Sequence, residues 1–386
     1  MEKLIYFDNN ATTPLNPEVY RAMEPFYKDE YGNASSLHAK GRSARNAVDN
    51  SRHIIARVLG AGPEDIIFTS GGTESDNLAI KGSCWQNSKK GNHIITSSTE
   101  HSAVLATAKY MEENGFKVTF LGVDKYGVVS PDDLKEAITD KTVLVSIMHA
   151  NNETGTIQPI KDLAKICKDK GVLFHADAVQ SFGKLDIDVE KMGVDMLSLS
   201  AHKIYGPKGI GALYLRKGAK ITPLSHGGHH ERNLRAGTEN VAGIVGLGKA
   251  AELSFTNREA KNRRLISLRD NLHNGIKNSI EDVYLNGHPT QRLPGTVNLS
   301  FQYVEGESIM LNLDLTGICV STGSACTSGT LEPSHVLTAM GIRPDLAQGS
   351  IRFSLGEQNT QEEVNKCISV LPEIIKRLRE MSPLKK

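Results

Sequence analysis

Residues 64–85 read EDIIFTSGGTESDNLAIKGSCW. The first part is a short apolar run that stops at Gly71-Gly72, and the part from Thr73 reads as a helix. A buried strand, a glycine turn and a helix, in that order, are one unit of an α/β fold. The unit recurs downstream. NHIITSS (92–98) is a strand and SAVLATAKYMEENG (102–115) a helix. VTFLGV (118–123) leads to SPDDLKEAI (130–138), where Ser130 reads as an N-cap ahead of acidic first-turn residues. TVLVSIMHA (142–150), GVLFHADA (171–178), VDMLSLSA (194–201) and GIGALYLRK (209–217) are further apolar runs. Near-continuous runs between helices predict a parallel or mixed sheet covered on both faces.

The last third reads differently. A charged helix, NREAKNRRLISLRDNLHNGIKNS (257–279), precedes strands TVNLSF (296–301), ICVSTG (318–323) and SIRFSL (350–355). The segment 360–381 closes with Val364, Cys367, Leu371, Ile374, Ile375 and Leu378 at helical spacing. The expected fold class is therefore α/β with a second, smaller α+β domain. The expected division is 14–256 for the large domain, with 1–13 and 257–386 forming the small one.

Composition excludes several function classes. The 386 residues carry 45 Lys plus Arg against 44 Asp plus Glu, a balance that gives no support for nucleic acid as the main partner. No apolar run approaches the roughly 20 residues of a membrane span. The opening MEKLIYFDNN has no basic region followed by an apolar core, so no signal peptide is expected. The five cysteines form an odd set with no CxxC pair, which fits a reducing cytoplasm rather than a disulfide framework. Cys84, Cys167 and Cys367 read as structural. Cys326 differs: VSTGSACTSGT (320–330) surrounds it with small polar residues and glycines, and nothing there would bury a thiol.

Polar residues gather where the apolar runs end, and in open α/β sheets ligands sit beyond the carboxyl ends of the strands. GGTES offers Gly72 and Thr73 at a helix start, where free N–H groups bind phosphate. Glu100-His101, Asn151-Asn152, Asp177 with Gln180, and Ser200-His202-Lys203 close four further runs. Each cluster alone is an ordinary turn. Five on one rim are better explained by one site holding a phosphate cradle, a lysine amine, a carboxylate and an imidazole. Pyridoxal phosphate needs a Schiff-base lysine, an acid for its pyridinium nitrogen and a phosphate site.

DNNATTP, YGNASSLH, TSGGTESDNLAI, EHSAV, HANNETGTIQPI, FHADAVQ, SAHKIYGPKGIGALY, RAGTENV and STGSACTS follow one another along nearly the whole chain. In this the chain resembles the cysteine desulfurases of the NifS/IscS group, fold type I pyridoxal-phosphate enzymes of aminotransferase class V. The resemblance implies that Lys203 carries the cofactor as a Schiff base and later moves the α-proton. It implies that Asp177 pairs with the pyridinium nitrogen, Gln180 bonds the phenolic oxygen, and His101 stacks on the ring as an acid/base. Gly72, Thr73, Ser200 and His202 are implied to hold the phosphate. Thr238 is implied to reach it from the other subunit of a homodimer. Asn152 and Arg352 are implied to hold the substrate carboxylate, a task for which the planar fork of arginine is suited.

Under the same resemblance the thiolate of Cys326 takes sulfur from L-cysteine, leaving alanine and a persulfide. The sulfur then passes to an iron–sulfur scaffold or another acceptor protein. No resident metal is expected, although Cys326 would transiently contact an acceptor's iron–sulfur cluster. A free thiol is only a few per cent thiolate near neutrality, so local activation is expected. Departures from the family pattern are His229 in HGGHHERNLRAGTEN, and Gln348 and Gly349 in LAQGSIRFS, the latter pair expected near the substrate pocket. The chain stops soon after SPL, which leans toward the NifS-like branch. Two other readings stand beside desulfuration. One is a different pyridoxal-phosphate reaction such as selenocysteine lysis, for which Cys326 is dispensable. The other is a non-catalytic partner, against which Lys203 argues.

Overall fold

The computed structural model describes residues 4–322 and 333–382. Its strands are β1 (Ile5–Tyr6), β2 (Ile66–Thr69), β3 (His93–Ser97), β4 (Lys117–Leu121), β5 (Thr142–Ser146), β6 (Leu173–Asp177), β7 (Met196–Ser200), β8 (Gly211–Leu215), β9 (Val283–Asn286), β10 (Thr296–Phe301), β11 (Ile318–Cys319), β12 (Ser321–Thr322) and β13 (Ser350–Ser354). Seven of them make one sheet in the order β2-β8-β7-β6-β5-β3-β4. Pairing is parallel from β7 through β4, while β8 runs antiparallel to both neighbours. Every residue of β2, β3, β5, β7 and β8 is buried, as unbroken apolar runs require of a sheet covered on both sides.

The helices are α1 (Pro17–Met23), α2 (Pro25–Lys28), α3 (Ala39–Leu59), α4 (Gly72–Asn87), α5 (Ser102–Glu113), α6 (Pro131–Ala137), α7 (Ile160–Asp169), α8 (Val189–Met192), α9 (Val241–Phe255), α10 (Arg258–Ser279), α11 (Gly306–Leu315), α12 (His335–Ala339), α13 (Pro344–Gln348) and α14 (Gln361–Met381). One core runs from Val19 to Ala251 and fills the space between the large sheet and helices α1, α3, α7 and α9. A second core packs α4 and α5 on the opposite face. Local signals set the helix starts. Ser130 Oγ accepts from the Asp133 N–H at 3.2 Å and caps α6. Thr360 and Glu363 form a reciprocal capping box on α14.

The remaining strands build an antiparallel sheet, β12-β13-β10-β9, with β1 and β11 paired beside it in parallel. Phe7 shares a third core with residues of α10, β10, β13 and α14, including the predicted Val364, Cys367, Leu371, Ile374 and Ile375. The strand expected over ICVSTG divides into β11 and β12, which pair with different partners. The run TVLVSIMHA leaves the sheet after Ser146. The segment between β1 and α1 crosses the large sheet's rim: Asn9 N–H bonds the Ser354 carbonyl and Thr13 N–H bonds the His202 carbonyl, both at 3.0 Å. Among the described residues no helix is long and apolar enough to cross a membrane.

Candidate active site

The carboxyl ends of β2, β3, β5, β6 and β7 meet at one rim, and a cleft of about 900 Å³ opens there. Gly72, Thr73, His101, Asn152, Asp177, Gln180, Ser200, His202, Lys203 and Arg352 all line it. One predicted residue among those described does not. Thr238 is exposed, in the segment that follows a 3-10 turn at His230–Asn233. Cys326 lies outside the described residues.

Lys203 ends a single 3-10 turn, Ala201–Lys203, that directly follows β7. Its Nζ donates to the carbonyls of Asn10 and Ala11, each at 2.7 Å. Asp177 is the last residue of β6 and is buried, with Oδ1 accepting from the Val179 N–H at 2.8 Å. Burial pushes its carboxyl up, while His101, the Val179 N–H and Lys203 pull it back. His101 caps α5 by accepting the Ala103 N–H on Nδ1 at 3.1 Å. In the neutral tautomer that bond assigns the proton to Nε2. Burial lowers the imidazole's pKa, with Lys203 and His335 adding to the effect and Asp177 opposing it.

The first turn of α4 starts at Gly72 with Gly71 as N-cap and no side-chain cap, which leaves N–H donors for an anion. A Cβ on Gly72 would come within 2.6 Å of Val179 Cγ2, so the backbone approaches the β6 turn more closely than any other residue would allow. Behind this turn His202 Nδ1 shares a 3.1 Å hydrogen bond with Thr12 Oγ1. Burial, then the charge of Lys203, takes the His202 imidazole down to about 4, so it is neutral.

On the opposite wall Arg352 is locked in place. Nη2 pairs with Asp8 Oδ1 at 2.7 Å, Nη1 donates to the Asn152 carbonyl at 3.0 Å, and Nε is buried without a partner among the described residues. Gln348 is exposed and is not among the described residues that line the cleft.

Two lining residues carry no sequence expectation. Asn10 contributes its backbone carbonyl to Lys203 and to Gln180 Nε2, the latter at 2.9 Å. Asp76, on the second turn of α4, is buried with Oδ1 lacking a hydrogen bond among the described residues and His175 Nε2 3.7 Å away. Burial, then the charge of Asp177, holds its carboxyl well above the usual range, against a hydrogen bond from Ser198. The one sequence signal for Asp76 is its place four residues after Gly72, one helical turn from the cradle.

Cys84, Cys167 and Cys367 are buried, and burial pushes all three thiols up, Cys84 and Cys367 to about 12. None can supply a thiolate near neutrality. His229 Nδ1 bonds Asn233 Oδ1 at 2.6 Å and His230 Nε2 lies 3.8 Å from Glu239. Among the described residues no group of three His, Cys, Asp or Glu stands in metal-binding geometry.

The aminotransferase class-V family profile matches residues 5–367. A curated relative named Cysteine desulfurase IscS, from Dictyoglomus turgidum, is 55% identical over 385 residues, covering 100% of this chain and 98% of its own. A solved structure described as a NifS-like protein superposes with a TM-score of 0.92 at 42% identity, over 97% of this chain and 100% of that one. Another, SspA in complex with cysteine, gives a TM-score of 0.80 at 39% identity, over 92% of this chain and all 100% of that one.

Proposed function

We infer from the aminotransferase class-V family, to which this chain belongs, that it is a cysteine desulfurase that uses pyridoxal 5′-phosphate to take sulfur from L-cysteine. The observation that carries the reading is the convergence of Lys203, Asp177, His101 and the α4 N-terminus on one cleft. The cleft fits the cofactor. It has an uncapped helix start with no room for a Cβ, a buried carboxylate beside it, and an amine held at its edge by two carbonyls.

Bound pyridoxal phosphate supplies an electron sink that lets the Cα–H and Cβ–S bonds of L-cysteine break. The chain's own residues do the rest. Lys203 would hold the cofactor covalently and then carry the α-proton on Nζ. Asp177 would keep a proton on the pyridine nitrogen. Gln180 Nε2 would donate to the ring oxygen. His101 would lie against the ring and exchange a proton at Nε2, since Nδ1 is taken by the Ala103 N–H. Gly72, Thr73, Ser200 and His202 hold the phosphate. Asn152 and Arg352 receive the substrate carboxylate, with Asp8 fixing the guanidinium plane. The thiolate of Cys326 attacks the substrate sulfur. An S–S bond forms as the C–S bond breaks, and alanine and a Cys326 persulfide result.

The sulfur passes to an acceptor protein, an iron–sulfur scaffold or a thiolation carrier, in the cytoplasm. The enzyme works as a homodimer in which Thr238 reaches the phosphate of the other subunit; its exposure away from its own cleft supports this. Residues 14–256 form the cofactor domain, and 1–13 with 257–386 the smaller one. The core that Phe7 shares with residues from Leu268 to Ile375 supports that division.

The test is alanine and sulfide formation from L-cysteine with a thiol reductant, comparing the protein with Cys326→Ala. Both products are expected, and the variant should lose them. Full activity in the variant would remove Cys326 from the sulfur path.

A further inference from the structure

Lys184 stands out among the charged groups near the cleft. It lines a second, narrow pocket that shares Asn10 and Lys203 with the cleft. Two other cations on that wall have carboxylates: Arg258 meets Asp186 at 2.8 Å and Lys261 meets Glu357 at 3.2 Å. Among the described residues Lys184 has no such partner. Its Nζ donates instead to Gln180 Oε1 at 3.2 Å. A charged amine near Lys203 and Arg352, with only an amide for company, is an expensive arrangement. Burial and those two charges bring its pKa down to about 7.

The backbone holds this contact. After β6 the chain turns through 178–185, with Phe182 N–H on the Ala178 carbonyl at 2.8 Å and Leu185 N–H on the Ser181 carbonyl at 2.9 Å. That winding sets Lys184 one turn beyond Gln180, where side chains four apart meet. Gly183 lies at φ 75°, and a Cβ there would come within 2.7 Å of Ile204 Cγ2 and 2.8 Å of Ser254 Oγ. The turn therefore has little freedom to move Lys184 away.

The consequence concerns the amide. Gln180 can present either its oxygen or its nitrogen to the cleft, and the two faces have nearly the same shape. In its ammonium form Lys184 has donors and no acceptor, and the Asn10 carbonyl only accepts, so together they hold the oxygen toward Lys184 and leave Nε2 for Asn10 and the cleft. We propose that Lys184 is a positioning residue that fixes the Gln180 amide with its N–H donors turned toward the cofactor's ring oxygen. This rests on the reading of the cleft as a pyridoxal-phosphate site.

The test reads the bound cofactor's colour, not turnover. Its absorption divides between a yellow band, from the form with a bare ring oxygen, and a near-ultraviolet band, from the form with that oxygen protonated. An N–H donor at the oxygen favours the yellow form, and an amide oxygen there disfavours it. At one fixed pH below 7, where the Lys184 amine is charged, Lys184→Met holoenzyme should show a yellow-to-ultraviolet ratio at least twofold below that of the parent. Lys184→Arg, which keeps a donor, should recover most of it. In a Gln180→Ala background the Lys184→Met change should vanish, because its effect passes through that amide. An unchanged ratio in Lys184→Met, or an equal drop with and without Gln180, would overturn the proposal. Should Lys184→Met not fold, the same comparison is made with Lys184→Leu. A parent protein that takes up no coloured cofactor would bring down the reading of the cleft itself, and the role of Lys184 with it.

Discussion

Arg352 meets its proposed substrate already engaged. Asp8 and the Asn152 carbonyl hold two of its nitrogens, and the side chain is buried. Those contacts fix the plane of the guanidinium before any ligand arrives, which spares the ordering cost at binding. A lysine would keep the charge and lose the planar fork. Arg352→Lys should therefore raise KM for L-cysteine by about tenfold or more, the worth of roughly 1.4 kcal/mol or above. The absorption of the bound cofactor should not change. Steady-state kinetics beside a spectrum checks both, and an unaltered KM would take Arg352 out of carboxylate recognition.

The α4 start is where an element, not a single side chain, does the binding. Gly→Ala within a helix ordinarily stabilises by about 1 kcal/mol. At Gly72 the added Cβ would press on Val179 Cγ2 and push the β6 turn from the cradle. Gly72→Ala should keep a folded protein yet release cofactor on dialysis about tenfold faster, and adding Val179→Ala should restore retention. Equal retention by Gly72→Ala would show that the close approach is not needed. The cradle was legible in the sequence because strand, glycines and helix follow one another within 64–85. Lys203, Asp177 and His101 were legible as polar residues at the ends of apolar runs. Asn10 was not, since it acts through a backbone carbonyl, which every residue type carries. The helix α3 also escaped: its inward face is Ala44, Val48, Ser51, Arg52, Ile55 and Ala56, too small and too polar to show as a hydrophobic stripe. Its packing partner α9 has the opposite fault, being apolar and small on nearly all sides, so no period stands out.

Across the molecule the buried titratable groups pull in two directions. His149 and His202 are held neutral, with pKa values taken down to about 4, chiefly by burial, and His175 goes down to about 3 for the same reason. Stability from a depressed histidine is fully present above its unfolded value of 6.5 and is lost as pH falls toward the folded one. Glu100 and Glu153 are raised by burial to about 8 and about 7. Their contribution is present below 4.5 and is lost as pH rises through those values. Both sets titrate between 4.5 and 6.5 with opposite signs, so the unfolding free energy of the whole protein is a poor reporter of either. One substitution separates them. His149 is buried with Nδ1 lacking a partner among the described residues, so no contact described there rewards its protonation. Replacing it by Asn removes one acid-sensitive group and leaves the carboxyls alone. The stability difference between parent and His149→Asn should fall by about 3 kcal/mol as pH drops from about 7 to about 4, taking 1.36 kcal/mol per pKa unit. Denaturant unfolding at several pH values measures it, and a difference that stays flat with pH would mean that His149 accepts its proton inside the fold as easily as outside.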